Sequence, residues 1–322
     1  MTRALAISLV HAAAACALAA CGGPRPASDL GAPAAGRADA HVHLSYEGPA
    51  ALDSLLAHGV TAARDCGGDL AELSRWRSEI AAGTRRGPRL YLAGPVLDGP
   101  KEGARFRVTV TTPEEAERAV DSLADLGVDF IKTHTAVPPA AFFATIRRAR
   151  ARGLKVAAHL PRGVPAWTAA DSGVGSIEHM AESIVQSPIY ARLARDAREA
   201  LEWWRSPAGD SMMVHLARTG VYVTPTLVYF EANIATARTP AVREGRAALL
   251  PELVALTGRL HRAGVPLLVG TDVSGPEIPD RPGASVDREL ELLRQAGIPD
   301  AAVREAASAR RLAEWFRPPR SP

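Results

Sequence analysis

Cysteine is scarce in this 322-residue chain, with Cys16, Cys21 and Cys66 the whole supply. The first two belong to an N-terminal segment that reads apart from the rest, so Cys66 stands alone in the folded part and an internal disulfide is excluded. Cys66 reads as a small buried residue without a catalytic role. Charge of one sign is also scarce: the net charge is +3, and no basic stripe interleaved with aromatics occurs, which argues against a nucleic-acid partner. The apolar run at residues 4 to 17 falls short of the roughly 20 residues that a membrane-spanning helix needs. What remains, at 47% hydrophobic and 23% charged, suits one large domain with a substantial core.

The N-terminus is a separate piece. Met1-Thr-Arg3 is positive, an apolar stretch follows, and Leu18-Ala-Ala-Cys21 places small residues before a cysteine. This resembles a bacterial lipoprotein signal peptide with its lipobox. The resemblance implies cleavage of residues 1–20 and acylation of Cys21, whose several chains would anchor the protein stably to a membrane. Gly22 stands where inner-membrane retention usually shows Asp, which points to an outer-membrane lipoprotein of the cell envelope facing the periplasm. Residues 21–38, rich in Pro, Gly and Ala, then form a flexible tether, and 39–322 form the folded domain.

From Asp39 onward, short apolar runs alternate with amphipathic stretches. Strands are predicted at 39–44, 59–65, 89–96, 129–134, 155–160, 176–180, 221–227 and 265–272, several preceded by a helix-closing glycine such as Gly127 or Gly153. Eight alternations predict an α/β fold of the (β/α)8 TIM-barrel type, whose active site lies where the strands end. The alternative, a doubly wound open sheet, gives the polar strand-end residues no common centre.

Those strand-end residues are His41, His43, Lys132, His159, His179 and Asp272. Side chains at i and i+2 of a strand share a face, so His41-Val-His43 aims two imidazoles at one point. Imidazole and carboxylate suit Zn2+, and two neighbouring ions can share a hydroxide and polarise a carbonyl. A lysine ammonium cannot ligate a cation, but a neutral lysine carboxylated by CO2 becomes a carbamate, an anionic bridge with two oxygens. Asp272 could take a proton from the attacking water and pass it to a leaving nitrogen. Singly, Lys132 reads as a solvated lysine, His159 and His179 as core histidines, and Asp272 as a turn cap. Together, at successive strand ends, they read as a site. His58, His215 and His261 fall in helical stretches and read as structural or surface residues.

The motifs Asp39-Ala-His-Val-His-Leu44, Val60-Thr-Ala-Ala-Arg-Asp65, Phe130-Ile-Lys132, Ala158-His159, Ser176-Ile-Glu-His179, Pro225-Thr-Leu227 and Gly270-Thr-Asp272 resemble the amidohydrolase superfamily, in its binuclear branch related to imidazolonepropionases and Xaa-Pro dipeptidases. The resemblance implies two divalent ions, Zn2+ in type, the first held by His41, His43 and Asp272, the second by His159 and His179. It also implies a carboxylated Lys132 bridging them and Asp272 as the catalytic acid and base. The expected activity is hydrolysis of a small-molecule amide, a dipeptide or cyclic amide, by a metal-bridging hydroxide. A lactonase or phosphotriesterase on the same centre is the nearest alternative, and a non-catalytic lipid-anchored binding protein the more distant one.

For substrate contacts the candidates are His134, Tyr229 and Arg64, the last with packing against Asp65 or Asp39 as its competing role. The 184–210 stretch, with Tyr190 and Trp203-Trp204, is a candidate lid, although a Trp pair on a helix is more often core. Relatives usually add a small β-sandwich, for which this chain shows no segments. The barrel is expected to stand alone, and an exposed apolar bottom or flank would favour a homo-oligomer.

Overall fold

The computed structural model describes residues 35–101, 103, 105–186, 197–272, 274 and 282–317. The expected signal segment, Cys21, most of the tether and Tyr190 lie outside the described residues. Strands form at β1 (Arg37–Val42), β2 (Val60–Asp65), β3 (Arg89–Leu92), β4 (Val96–Asp98), β5 (Arg107–Thr109), β6 (Ile131–Thr133), β7 (Val156–Ala158), β8 (Ser176–Glu178) and β9 (Tyr222–Thr224). Each forms within or overlapping a predicted apolar run except β5. The first strand begins at Arg37, inside the stretch expected to be tether, because Arg37 already pairs with Val60.

All pairings are parallel, in the orders β1-β2-β3 and β5-β4-β6-β7-β8-β9. The two sheets join into one wall. β3 and β4 are a single stave broken at Ala93-Gly94-Pro95, with Asp129 N donating to Leu92 O at 2.8 Å and Leu97 of β4 pairing with Thr133. The eighth stave is the stretch 265–272, too irregular to form a ladder yet bonded on both sides. Val223 N donates to Pro266 O (3.0 Å) and Leu268 N to Val223 O (3.0 Å); Ala40 N donates to Val269 O (2.7 Å) and Asp272 N to His41 O (2.7 Å). These bonds seat 265–272 between β9 and β1, so the fold is the expected eight-staved α/β barrel. Among the described residues, β5 is the only strand outside the ring of staves, and no accessory sandwich is present.

Helices between staves follow local signals. In Pro113–Asp125 the Thr112 hydroxyl accepts from Glu115 N (3.2 Å), and the Glu115 carboxylate accepts from Thr112 N (3.3 Å). This reciprocal cap satisfies two amides that a helix start leaves open. Ala116, Val120 and Leu123 form its buried face, and each large apolar side chain so buried stabilises the fold by roughly 1.5–3 kcal/mol.

Inside the barrel the strands alternate. Ala62, Phe130, Ala157 and Leu268 belong to an inner cluster with Leu312 and Trp315 of the last helix, Ala309–Phe316. Trp315 Nε1 donates to Gly175 O at 3.0 Å, and the approach is close enough that a Cβ on Gly175 would stand 2.9 Å from Trp315 Cζ2. Phe316 stacks on Tyr91 with centroids 4.2 Å apart. The bottom of the barrel is thus covered by the chain's own final helix.

Candidate metal centre

Because alternate strand residues share a face, the inward positions that continue upward from the inner cluster are Arg64 on β2, Lys132 on β6, His159 after β7, Glu178 on β8 and Asp272 at the end of the eighth stave. Three residues reach the centre against that alternation. Register irregularities in β1 bring His41 inward as well as His43. His179 directly follows inward Glu178 and would point outward in regular strand; its backbone φ of 71° turns the imidazole in. Asp272 also has a positive φ, 53°. Left-handed backbone at non-glycine residues is costly and clusters at functional sites. Gly270, two residues before Asp272, can carry no side chain, since a Cβ would lie 2.8 Å from His41 Cβ.

The six expected residues converge. Asp272 Oδ1 lies 3.5 Å from His41 Nε2 and 3.2 Å from His43 Nε2, while Oδ2 lies 3.7 Å from His179 Nδ1. Ring centroids are 4.8 Å apart for His41 and His179 and 4.4 Å for His179 and His159. All six line one cavity of about 270 Å³, together with His134, Tyr229, Glu182, Tyr46 and the segment Arg105-Phe106-Arg107.

Three of the four imidazoles are oriented from behind. His43 Nδ1 bonds Gly67 O (2.9 Å), His179 Nδ1 bonds Thr226 Oγ1 (2.9 Å) and His41 Nδ1 bonds Glu178 Oε2 (2.8 Å). Such contacts fix which nitrogen faces the cavity. Glu178 is held by Arg64, whose Nη2 donates to Oε1 (2.8 Å) and Oε2 (2.9 Å), while Nε donates to Ala40 O (2.5 Å). The Arg64 guanidinium lies over the Trp315 ring at 4.6 Å and is fully buried. Arg64 is therefore not a substrate contact; it points into the barrel beneath the cavity and positions Glu178, a role its inward register dictates. Asp39 ties the two ends of the wall together, accepting from Thr271 N (3.0 Å), Thr271 Oγ1 (2.7 Å) and His41 N (3.1 Å).

Burial pushes the imidazoles of His41, His159 and His179 well below their ordinary range, so they are neutral, the form that ligates. Burial likewise lowers the Lys132 ammonium, whose Nζ donates to Thr133 O at 3.1 Å. For Asp272, burial works upward, but His41 and His43 outweigh it and hold the carboxyl below its ordinary value.

No protein-family model and no curated protein matches the chain. Among solved structures it is similar to a bottromycin amidohydrolase, 28% identical with a TM-score of 0.71, over 87% of this chain and 67% of that one. A Xaa-Pro dipeptidase with bound methionine in its active site is 21% identical (TM-score 0.64, 88% of this chain, 75% of that one). An A. niger ochratoxinase is 20% identical (TM-score 0.62, 87% and 71%). The last two likenesses show the fold alone. The likeness at 28% identity is to an amidohydrolase, consistent with the expected superfamily. The donor set of this chain fits the metals that such a barrel top would hold: His41 Nε2 and His159 Nε2 are buried without any hydrogen-bond partner, and His41, His43 and Asp272 offer ligand atoms within 4.8 Å of one another. Buried, unpaired polar atoms are costly unless something coordinates them.

Of the other expected site residues, His134 and Tyr229 line the cavity, His134 with its ring 4.7 Å from that of His159 and Tyr229 6.3 Å from His179. The Trp pair is core: Trp204 is fully buried and donates to Ile184 O (3.0 Å), and Trp203 stacks on Trp167. Sequence reasoning missed Glu178, Glu182 and the 105–107 segment. Glu178 sits inside the quoted Ser176-Ile-Glu-His179 motif, two residues after Ser176, and its inward face was readable from that spacing.

Proposed function

We propose that this chain is a metal-dependent hydrolase of small amides, with dipeptides and cyclic amides as its substrate classes, tethered to the cell envelope through lipidated Cys21. The observation that carries the reading is the convergence of six strand-end ligands around unpaired, buried imidazole nitrogens. His41, His43 and Asp272 would hold one divalent ion, His159 and His179 a second, with Lys132 as the carbamate between them. Two such ions, Zn2+ in type, supply a water of lowered pKa and polarise the scissile carbonyl.

The protein's own groups do the rest. Asp272 turns Oδ1 to His41 and His43, which leaves Oδ2 to take the water's proton as the O–C bond forms. The same proton passes to the departing nitrogen as the C–N bond breaks, yielding an amine and a carboxylic acid that then ionises to the carboxylate. Burial pulls the Lys132 ammonium below the ordinary lysine range, the direction that reaction of its amine with CO2 requires. His134 and Tyr229 flank the substrate.

Metal analysis of the purified protein tests this. About two equivalents of bound divalent ion, together with turnover of amides, is the expected result. Failure to retain any ion after reconstitution with Zn2+ and bicarbonate would overturn the proposal and favour a non-catalytic binding protein. Turnover confined to lactones or phosphotriesters would transfer the same centre to those esters.

A further inference from the structure

A second cavity, of about 180 Å³, lies at the other end of the barrel. It opens beside Gly264, Val265 and Pro266, where the eighth stave begins, between the end of the helix Pro240–Arg262 and the short helix Asp300–Ala306. Asp272 closes the same stave at its top, so at about 3.3 Å per residue this basal cavity lies roughly 20 Å from the metal centre.

The cavity comes from a mismatch of sizes. The eighth stave is irregular, and the helix facing it presents Ala302 and Ala306, whose methyl groups leave the space between Leu267, Leu293 and Ile298 unfilled. Protein interiors leave few voids larger than a water, and a void forfeits dispersion contacts along its lining. An apolar occupant would restore them.

The wall is aliphatic for the most part, with Arg311 of the final helix as a cationic exception. Its Nε is buried and has no hydrogen-bond partner among the described residues, although the guanidinium lies over the Tyr222 ring (5.0 Å) and Nη1 stands 3.6 Å from the Glu314 carboxylate. Glu305, the carboxylate on the cavity wall, pairs with Arg310. A buried N–H without an acceptor costs free energy that a bound anion would offset. The cavity thus asks for an apolar body with one anionic end. Its size sets the bulk, because an apolar cavity of about 150 Å³ already accepts benzene.

We propose that the basal cavity is a binding site for a small apolar monocarboxylate of benzoate size, its ring or branched alkyl body against the aliphatic wall and its carboxylate on Arg311 Nε. The site is separate from the metal centre and independent of the reaction proposed there. Arg311 and Trp315 are spaced i and i+4 on the final helix and so share a face. An occupant therefore braces the helix whose indole supports Arg64.

The test is calorimetry of benzoate on the full-length protein, both zinc-loaded and zinc-free, with benzyl alcohol as the uncharged counterpart. About one equivalent of benzoate should bind the zinc-free protein with a Kd of about 0.1–1 mM, and zinc should leave that site in place. Benzyl alcohol should bind at least about 10-fold more weakly, for want of the charge-assisted hydrogen bond. Arg311→Gln should weaken benzoate by a similar factor and leave the alcohol unchanged. Ala302→Leu fills the cavity from the opposite wall and should abolish binding of both. Should either variant misfold, the comparison of acid with alcohol on the unaltered zinc-free protein decides, equal affinities overturning the proposal. Benzoate that binds only when zinc is present would belong to the metal centre and overturn it, as would an affinity that neither substitution changes.

Discussion

Glu178 Oε2 stands 2.8 Å from His41 Nδ1, and this contact leaves His41 Nε2 as the nitrogen that faces the cavity. Because Arg64 grips the same carboxylate through both of its oxygens, the imidazole is oriented by a buried ion pair and not by solvent. Removing the charge while keeping the shape should loosen metal binding. Glu178→Gln is expected to weaken zinc affinity by about 10- to 100-fold in competition with a chromogenic chelator. Unchanged affinity would show that His41 is positioned without Glu178.

Arg64→Ala should act on stability, since it strands the Glu178 charge in the barrel interior. Breaking a buried pair by removing one partner costs about 3–5 kcal/mol. Urea denaturation reads the loss as a lower midpoint, and a cost below 1 kcal/mol would mean that Glu178 is neutral there or finds another donor.

Asp272→Asn keeps an oxygen available to a metal and loses the carboxylate that accepts a proton. The expected variant retains its ions and loses amide turnover by at least about 10²- to 10⁴-fold. Metal content and kcat measured on the same preparation separate the two functions. Full turnover would remove Asp272 from the proton path.

Glu289 predicts a pH effect away from the centre. Burial lifts its carboxyl from an ordinary 4.5 to about 8, even though it accepts a hydrogen bond from Val228 N at 2.8 Å. The folded state thus holds the proton more tightly than the unfolded one. Its contribution is complete below pH 4.5, declines by at most about 1.4 kcal/mol per pH unit as pH rises toward 8, and is gone above it. Glu289→Gln should flatten that decline, matching the natural protein at pH 5 and exceeding it in urea midpoint at pH 9. Parallel pH profiles for the two proteins would count against a protonated Glu289.

Much of this was readable in the sequence because each ligand sits at the end of its own apolar run and the alternation of strand faces tells which way it points. Lys132 and His159 follow that rule from Phe130 and Ala157. What the rule does not reach are the exceptions: the irregular register of β1, and His179, turned inward only by its left-handed φ. Arg64 shows the complementary error. An arginine near a strand end reads as an anion site, yet the ring of Trp315, distant in sequence, gives its guanidinium a buried platform. The 105–107 segment follows a Pro- and Gly-containing stretch without periodicity, so nothing local marked it as part of the cavity wall.

The helix Ala309–Phe316 gives the barrel a line of transmission as well as a floor. Trp315 supports Arg64, Arg64 holds Glu178 and Glu178 orients His41, so a side chain beneath the barrel stands behind an imidazole at its top. The alignment of the centre is thereby tied to the seating of this helix: whatever loosens it from the staves reaches His41 through three contacts.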